Sequence, residues 1–288
     1  LAMVQALHFP ADDQKTRDAR RTAMFEEFLT FQMGLQLVKS RERIENGTAI
    51  KYQIQLVRAF IQKLPFELTD AQKRVTNEIL ANLKSPAHMN RLLQGDVGSG
   101  KTVVAAIAMY ATLTAGMQAT LMAPTEILAE QHANNLSRFF EKLDVKIALL
   151  VGGIRKKIRD EMLAEIKNGE IDIVVGTHAI IQEDVQFKNL GLGIIDEQHR
   201  FGVHQRQLLR EKGAAPDILA MTATPIPRTL AITTYGDMDV SIIDQAPAGR
   251  KPIITKWVKR GEWEKVLAFM TKEFANGRQA FIVTPLIE

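Results

Sequence analysis

Two short stretches of this 288-residue chain combine residue types that suit phosphate chemistry. The first, residues 95–102, reads Gly-Asp-Val-Gly-Ser-Gly-Lys-Thr and matches the pattern G-x-x-x-x-G-K-[ST]. Glycines let backbone N–H groups turn toward phosphate oxygens, while Lys101 suits the β- and γ-phosphates and the Thr102 hydroxyl suits magnesium. The stretch therefore predicts a nucleoside triphosphate site with Mg²⁺, formed by Gly95, Asp96, Val97, Gly98, Ser99, Gly100, Lys101 and Thr102.

The second stretch is an acidic pair, Asp196 and Glu197, which follows the apolar run at residues 192–195. Such a run predicts a buried strand, so the acids would stand at its carboxyl end. There Asp196 can hold Mg²⁺ and Glu197 can accept a proton from the attacking water. Solvated acids in a surface turn are the alternative interpretation of the pair taken alone. Beside Lys101, we expect Asp196 and Glu197 to be catalytic, with Thr102 and Asp196 as the Mg²⁺ ligands.

The composition narrows the other kinds of chemistry. Without cysteine, the chain has no disulfide framework, no thiol nucleophile and no cysteine zinc site, which fits a reducing cytoplasm. Its apolar stretches are too short for the roughly 20 residues that cross a bilayer, so we expect no membrane association. The net charge is +4, but residues 65–250 carry 20 basic and 22 acidic side chains. Bulk charge therefore does not argue for nucleic acid.

Strand–helix alternation is the pattern from residue 65 onward. Apolar runs predict strands at residues 91–94, 118–123, 146–150, 171–176, 191–195 and 217–222. Helical periodicity predicts helices at residues 103–114, 126–140 and 155–168. The alternation predicts an α/β domain whose central parallel sheet is covered by helices on both faces. A strand thus precedes residues 95–102 and a helix follows them, as a phosphate-binding loop requires.

The two ends of the chain read differently from its centre. Residues 12–45 predict a long helix, and an amphipathic stretch follows up to Leu64. The apolar face of the long helix consists of Phe25, Phe28, Leu29, Met33 and Leu37. We expect this part to pack on the next domain; a connector to an upstream domain is the alternative. At the other end, residues 253–258 and 279–284 predict strands around a helix at 262–276, too few elements for an independent sheet.

These shifts divide the chain into a helical linker (1–64), a nucleotide-binding lobe (65–249) and the truncated start of a second lobe (250–288). Leu1 is not an initiator Met, so we expect a fragment of a longer protein.

Resemblance to a known family enters at the string Asp-Glu-Gln-His, residues 196–199. The chain resembles superfamily 2 helicases and translocases over nearly its whole length, and most closely their RecG-like members. Further motifs follow the family's order at residues 66–72, 123–132, 152–153, 176–178 and 221–229. The resemblance implies a RecA-like P-loop NTPase lobe that takes ATP and Mg²⁺.

The resemblance also implies roles for single residues. Phe66 and Gln72 correspond to the adenine-reading segment, with Gln72 as the base-specific group. Contacts to the DNA backbone are implied for Pro124, Thr125, Gly153, Gly176, Thr177 and His178. Coupling between hydrolysis and DNA movement is implied for His199, Thr222, Ala223 and Thr224. Without the family, residues 124–126 would predict only a helix start, and residues 222–225 only a strand end with a turn.

Gln198 points to the RecG-like members, since the similar transcription-repair coupling translocases carry Glu at that place. The resemblance then implies an ATP-dependent helicase that acts on branched DNA, in fork reversal, Holliday-junction processing, recombination and repair. It implies a cytoplasmic monomer, with single-stranded-DNA-binding protein as a further partner. The alternatives are a transcription-repair translocase and a nucleotide-binding module without motor action. Because the family's wedge domain and arginine-bearing second lobe are missing, we expect this fragment to bind nucleotide weakly and to hydrolyse it poorly.

Overall fold

The computed structural model describes residues 2–9, 12–44, 48–197, 201, 203–214, 216–224, 238–245 and 253–284. The chain divides into two compact units, Leu1–Ala248 and Gly249–Glu288. Within the described residues, every strand belongs to the larger unit. The three-part division into 1–64, 65–249 and 250–288 stays a prediction.

Seven strands are described, and all of them pair in parallel. They are β1 Asn90–Gly95, β2 Gln118–Met122, β3 Ile147–Leu150, β4 Ile173–Gly176, β5 Leu190–Ile195, β6 Asp217–Thr222 and β7 Asp239–Ile243. The sheet has the order β3-β4-β2-β5-β6-β1-β7. A parallel sheet of this kind places the carboxyl ends of all strands at one edge, where α/β proteins bind their ligands.

Nine α-helices are described, besides 3₁₀ turns at His178–Ile181 and Arg260–Glu262. They are α1 Ala2–His8, α2 Asp13–Ile44, α3 Ile54–Gln62, α4 Asp70–Leu83, α5 Lys101–Thr114, α6 Glu126–Phe140, α7 Lys156–Asn168, α8 Val203–Arg210 and α9 Trp263–Ala275. The sheet is buried on both faces. One core joins α3, α4, α5 and α6, and the other includes side chains of α7 and α8. The α/β prediction with a covered parallel sheet is confirmed.

Alternation along the strands decides which core each side chain enters. In β5, Leu192 and Ile194 face the helices α3 to α6, whereas Ile195 faces the opposite core. In β2, Leu121 and Met122 divide in the same way. Because both faces are buried, these strands read as continuous apolar runs, and the six predicted strands lie within two residues of their observed ends.

Three helices and one strand of the larger unit were not predicted from the sequence, namely α1, α4, α8 and β7. Helix α4 begins with a capping box, in which the Thr69 hydroxyl accepts from the Gln72 backbone N–H and the Gln72 side chain accepts from the Thr69 backbone N–H. Strand β7 is a short edge strand that pairs only with β1 among the described strands. Five residues with three apolar side chains are a weak signal, because a short strand depends on pairing with its neighbour.

The Arg91 side chain holds this edge strand in place. Its guanidinium donates to Ser241 Oγ of β7 at 2.6 Å and to Asn82 Oδ1 of α4 at 2.7 Å. Glu78 and Asp239 lie at 3.4 and 3.8 Å and balance its charge. Burial lowers the pKa of Arg91, although Asp239 and Glu78 oppose that shift. The network joins α4, β1 and β7 near the amino ends of the two strands.

Strand β6 begins with the buried Asp217, at the amino edge of the sheet. Its Oδ1 accepts a hydrogen bond from the Met89 backbone N–H at 2.6 Å. Burial raises the pKa of Asp217 to about 7, and the Met89 hydrogen bond only partly opposes that shift. The carboxyl group therefore links the connection before β1 to β6.

The N-terminal helices differ in how they are packed. Val57 and Phe60 of α3 are buried, and the Phe60 ring lies against Tyr110 and Phe140. In α2 the predicted apolar face is exposed, with Phe25, Met33 and Leu37 each at least 60% accessible. Packing of that face on the lobe was expected and is contradicted by the structure. Helical periodicity predicts an apolar face but not the surface that covers it.

The described residues of the smaller unit, 253–284, contain one α-helix, α9. Its bounds are close to those of the helix predicted at residues 262–276. The strands predicted at residues 253–258 and 279–284 are wrong: the described residues there have no strand. Their side chains are exposed, for example Trp257 at 84% and Phe281 at 91%. An apolar run becomes a strand only when another strand satisfies its backbone groups.

No helix in the described part of the chain has the length and apolarity needed to cross a membrane.

Candidate nucleotide and nucleic-acid site

Nearly all of the predicted site residues that the structure describes lie at the carboxyl edge of the sheet, and the sheet order sorts them into two groups. The β5–β6–β1 side carries residues 95–102 after β1, Asp196 after β5 and Thr222 at the end of β6. The β3–β4–β2 side carries Thr125 after β2 and the loops after β3 and β4. Strands β2 and β5 are neighbours, so the two sides meet in the middle of the sheet.

The loop between β1 and α5 has the backbone of an anion cradle. Gly98 and Gly100 have φ values of +75° and +92°, which glycine adopts without strain. Helix α5 begins directly at Lys101, so the positive end of its dipole faces the loop. A side chain at Gly100 is also excluded by space, since an added Cβ would lie 2.2 Å from Gln72 Nε2. Loop and helix therefore fit a phosphate group.

Lys101 provides the charge of this cradle. Its Nζ donates to the Gly95 carbonyl at 2.7 Å and to the Asp96 carbonyl at 3.1 Å. Burial lowers the pKa of Lys101, while the charges of Asp196 and Glu197 oppose that shift. The ammonium group of Lys101 therefore interacts electrostatically with both acids, although they lie 95 and 96 residues further along the sequence.

Asp196 and Glu197 follow β5 directly. The Asp196 backbone N–H donates to the Met122 carbonyl at 2.9 Å, and its side chain is buried. Glu197 has a φ of +50°, an uncommon conformation for a residue other than glycine. Such local strain is found at functional sites more often than elsewhere.

The residues present fit a Mg²⁺ ion that is shared with a nucleotide. Among the described residues no cluster of three or more acidic or histidine side chains could enclose a metal. Mg²⁺ in nucleotide sites needs only one or two protein groups, because phosphate oxygens and water complete its shell. The Asp196 carboxylate and the Thr102 hydroxyl in the first turn of α5 are suited to these positions.

Gln72 makes contacts within the chain that its predicted role did not include. Its side chain is only 2% exposed, Nε2 donates to the Ser99 carbonyl at 2.8 Å, and Oε1 accepts from the Thr69 backbone N–H at 2.9 Å. Both ends of the amide are thus engaged within the chain. A base-specific contact would require one of these bonds to break. Gln72 supports the phosphate loop in this structure, and adenine reading remains a prediction.

Phe66 is half exposed beside a surface depression. Its ring packs edge-on against Phe139, with 6.4 Å between the ring centres. The depression has a volume of about 810 Å³ and is also lined by Lys73, Thr76 and Asn77 of α4. An exposed ring next to an open space is suited to stacking on a planar base.

On the β3–β4–β2 side, helix α6 organises the loops. Thr125 caps α6, its Oγ1 accepting from the Leu128 backbone N–H at 3.3 Å, and it remains exposed. Glu126 Oε1 accepts from the Gly152 backbone N–H at 2.9 Å. The exposed Gly153 has a φ of +74°, so the loop after β3 turns at that glycine. Two of the predicted DNA-contact loops are therefore joined by one side chain.

The residues at the end of β4 and in the loop after it are partly buried and partly exposed. Gly176 is buried, and an added Cβ would lie 2.0 Å from the Leu150 carbonyl oxygen, so close strand approach requires glycine there. Thr177 is 4% exposed, whereas His178 is exposed. Direct DNA contact is therefore open to His178, while Gly176 and Thr177 are covered in this structure. Pro124 is half-buried beside Thr125.

The predicted coupling motif is described only in part. Thr222 ends β6, and its hydroxyl lies 2.7 Å from that of Thr224, which is exposed. Thr222 pairs with Gln94 of β1, so it lies next to the phosphate loop, and Ala223 follows it at intermediate exposure. The predicted coupling residue His199 and the discriminating residue Gln198 lie outside the described residues.

One contact of the site was not anticipated. His132 of α6 is buried, and its Nε2 lies 2.7 Å from Asp196 Oδ2. The two residues are 64 positions apart, and no metal-ligand spacing drew attention to this histidine. The available signal was periodicity: His132 lies on the buried face of α6 together with Ala129, Leu136 and Phe140. That periodicity predicts a buried histidine, but it does not identify the residue that the histidine contacts.

Comparison with known proteins finds relatives over nearly the whole chain. Bacillus subtilis (strain 168) has an ATP-dependent DNA helicase RecG that is 56% identical over 286 residues, covering 99% of this chain and 42% of the relative. The RecG of Streptococcus pneumoniae serotype 4 is 54% identical over the same shares. A solved structure of RecG bound to a three-way DNA junction is 44% identical, with a TM-score of 0.87, and covers 99% of this chain and 38% of that one.

The chain thus spans less than half the length of the curated relatives it matches. The family model described as DEAD/DEAH box helicase matches residues 69–232, which is more than half of the chain. That range includes the phosphate loop and the acidic pair. It also includes Thr125, Thr177 and Thr222, which lie at or just after the carboxyl ends of β2, β4 and β6. The chain therefore belongs to the DEAD/DEAH box helicase family.

Proposed function

We propose that the chain is the ATP-binding part of an ATP-dependent DNA helicase or translocase that acts on branched DNA. The observation that carries this proposal is the convergence of Lys101, Asp196 and Glu197 at one edge of the sheet, beside a loop built from left-handed glycines. The RecG relatives and the family model support the step from nucleotide binding to DNA movement.

In the proposed site, loop N–H groups and Lys101 hold the β- and γ-phosphates of ATP. Thr102 and Asp196 hold Mg²⁺, which when bound would spread the charge that develops during phosphoryl transfer. Glu197 orients the attacking water and accepts its proton. Thr222 and Thr224, with His199, transmit the state of the nucleotide to the DNA side.

DNA is proposed to lie along the β3–β4–β2 side. Its exposed Thr125, Gly153 and His178 offer hydroxyl, backbone and imidazole groups that can bind phosphates without reading bases. This suits a motor that moves along any sequence. The solved RecG relative is bound to a three-way junction, which supports replication forks and Holliday junctions as substrates of the longer protein.

The remaining parts of the proposal concern organisation. Residues 1–64 act as a linker, residues 65–249 as the first RecA-like lobe, and residues 250–288 as the start of a second. We further propose a monomer in the cytoplasm, with single-stranded-DNA-binding protein as a partner. A second lobe would supply arginines at the γ-phosphate, each contributing about a thousandfold or more in rate.

Binding of a fluorescent ATP analogue with Mg²⁺ tests the nucleotide part. Lys101→Ala is expected to lower the affinity at least about tenfold, because the phosphates lose their charged partner. Lys157→Ala is the matched control, since Lys157 is an exposed lysine on α7. Equal affinities for Lys101→Ala and the wild type would contradict the proposed site. Robust DNA-stimulated hydrolysis by this chain alone would contradict the need for a second lobe.

A further inference from the structure

A buried histidine and the buried acid of the nucleotide site form a direct contact. His132 Nε2 lies 2.7 Å from Asp196 Oδ2, and about nine-tenths of each side chain is buried. A contact this short in a dry environment is worth more than one in water, and it fixes the geometry of both groups.

We propose that His132 is a positioning residue for Asp196: it orients the carboxylate that takes part in Mg²⁺–nucleotide binding. The inference rests on the proposed function, because it uses the metal-holding role given to Asp196. Nothing in the phosphate-loop or acidic-pair motifs requires a histidine at this place. It follows instead from the way α6 packs beside the end of β5.

The surroundings of the ring indicate which nitrogen carries its proton. Nδ1 of His132 is buried and has no hydrogen-bond partner among the described residues. A proton on Nδ1 would leave a buried N–H donor unsatisfied, which proteins avoid more strictly than an unsatisfied acceptor. The proton therefore belongs on Nε2, which donates to Asp196 Oδ2. Oδ1 then remains the carboxylate oxygen directed away from this hydrogen bond.

The imidazole is held firmly enough to act in this way. Ala129, Leu136 and Phe140 of α6 are buried in the core that faces β2 and β5, so the helix cannot rotate without disrupting that core. Asp196 is held on its other side, because its backbone N–H donates to the Met122 carbonyl. Strand pairing thus fixes the Asp196 backbone and His132 fixes its side chain.

A purely structural role makes a different prediction from a positioning role. If the pair only stabilised the fold, its loss would lower stability and leave the metal dependence of nucleotide binding as it was. If His132 orients Asp196, its loss must weaken the Mg²⁺-dependent part of binding. Partners of metal ligands affect metal affinity by about 10- to 100-fold.

The experiment measures binding of a fluorescent ATP analogue to the whole chain while Mg²⁺ is titrated at constant pH. In His132→Leu, the Mg²⁺ concentration for half-maximal binding is expected to rise about 10- to 100-fold, with binding in the absence of Mg²⁺ unchanged. His132→Gln is expected to restore most of the wild-type response, since its amide nitrogen reaches nearly as far as Nε2. The side chain of His132→Asn is too short to reach Asp196, so this variant is expected to show the same rise in the Mg²⁺ requirement as His132→Leu. It therefore provides the test if His132→Leu folds poorly.

Leu136→Ala is the matched control, because Leu136 is fully buried one turn further along α6 and this change opens a cavity without removing the hydrogen bond. Wild-type Mg²⁺ dependence in His132→Asn and His132→Leu would overturn the inference, as would an equal shift in Leu136→Ala. A wild-type chain that binds the analogue without any effect of Mg²⁺ would overturn the proposed metal site, and this inference with it. The two kinds of failure are therefore distinguishable.

Discussion

The two sides of the carboxyl edge are built by different means. On the β5–β6–β1 side, a loop with two left-handed glycines carries Lys101, whose charge interacts with those of Asp196 and Glu197. On the β3–β4–β2 side, the exposed loops are attached to α6 by single hydrogen bonds, at Thr125 and Glu126. The first side suits one compact anion, and the second suits the extended DNA backbone that we propose as its ligand.

This difference sets how each side responds to substitution. A compact site depends on the placement of each group, so a single change there should remove most of the function. A surface that contacts a backbone through many weak bonds should lose affinity in small steps. The four predictions below run from the largest expected effect to the smallest, and each can break or sharpen the contrast.

Glu197→Gln should have the largest effect. In the full-length protein, without a base beside the phosphate loop, single-turnover hydrolysis of ATP is expected to fall about 10²- to 10⁴-fold, while the affinity for nucleotide stays near that of the wild type. The control is Glu126→Gln on the β3–β4–β2 side, whose amide oxygen can still accept from Gly152. Undiminished turnover in Glu197→Gln would show that Glu197 is not the base.

The pH dependence that Asp217 gives to stability tests whether the two sides of the sheet unfold together. Since its folded pKa is raised to about 7 from 3.8, its contribution to stability is fully present below about pH 4 and is lost as the pH rises toward 7. Relative to Asp217→Asn, the wild type should lose on the order of 4 kcal/mol across that range, at about 1.4 kcal/mol per pKa unit. Hydrogen exchange should show β1 and β4 losing protection together; loss in β1 alone would indicate two separate units.

Two glycines with similar backbones offer a matched comparison of the sides. Gly100→Ala forces a Cβ onto Gln72 Nε2 and into a φ of +92°, so we expect a stability loss of about 2–3 kcal/mol and weaker nucleotide binding. Gly153→Ala has open space and a φ of +74°, so we expect about 1 kcal/mol and unchanged nucleotide binding. Chemical denaturation and analogue binding measure both. Similar nucleotide affinities in the two variants would remove the contrast.

Thr125→Ala should have the smallest effect. Removal of the α6 cap is expected to cost about 1 kcal/mol in the free energy of unfolding. Affinity for a three-way junction should fall severalfold, with no change in nucleotide binding. Thr125→Ser keeps the hydroxyl and should retain both properties. A junction affinity equal to that of the wild type in Thr125→Ala would remove this residue from the proposed DNA surface.

The contrast between the two sides also explains which site residues could be predicted from the sequence. The phosphate loop and the Asp196–Glu197 pair follow from residue chemistry alone, because glycine, lysine and acids at strand ends have few other uses in that order. The DNA-side residues depended on a resemblance, since Thr125 and Gly153 also suit an ordinary helix cap and turn. Exposure then separated His178 from the buried Gly176 and Thr177.

What the sequence did not reveal was determined by long-range packing. Periodicity placed His132 on the inner face of its helix, but only the order of β2 and β5 brings it to Asp196. The contact of Gln72 with the phosphate loop was not predicted either; it arises because the start of α4 lies against that loop at Ser99. The apolar face of α2 was expected to be covered and is exposed, because a pattern specifies a face without specifying its partner.

Helix α6 has a consequence that extends beyond either side. Its first turn holds the DNA-side loops, and His132, about 10 Å further along the axis, touches the acid of the nucleotide site. If DNA binds at the proposed surface and displaces the start of this helix, we expect the Asp196 carboxylate at the other contact to move as well. Thermodynamic reciprocity then applies: whatever factor DNA imposes on the affinity for Mg²⁺–nucleotide, the nucleotide must impose on the affinity for DNA.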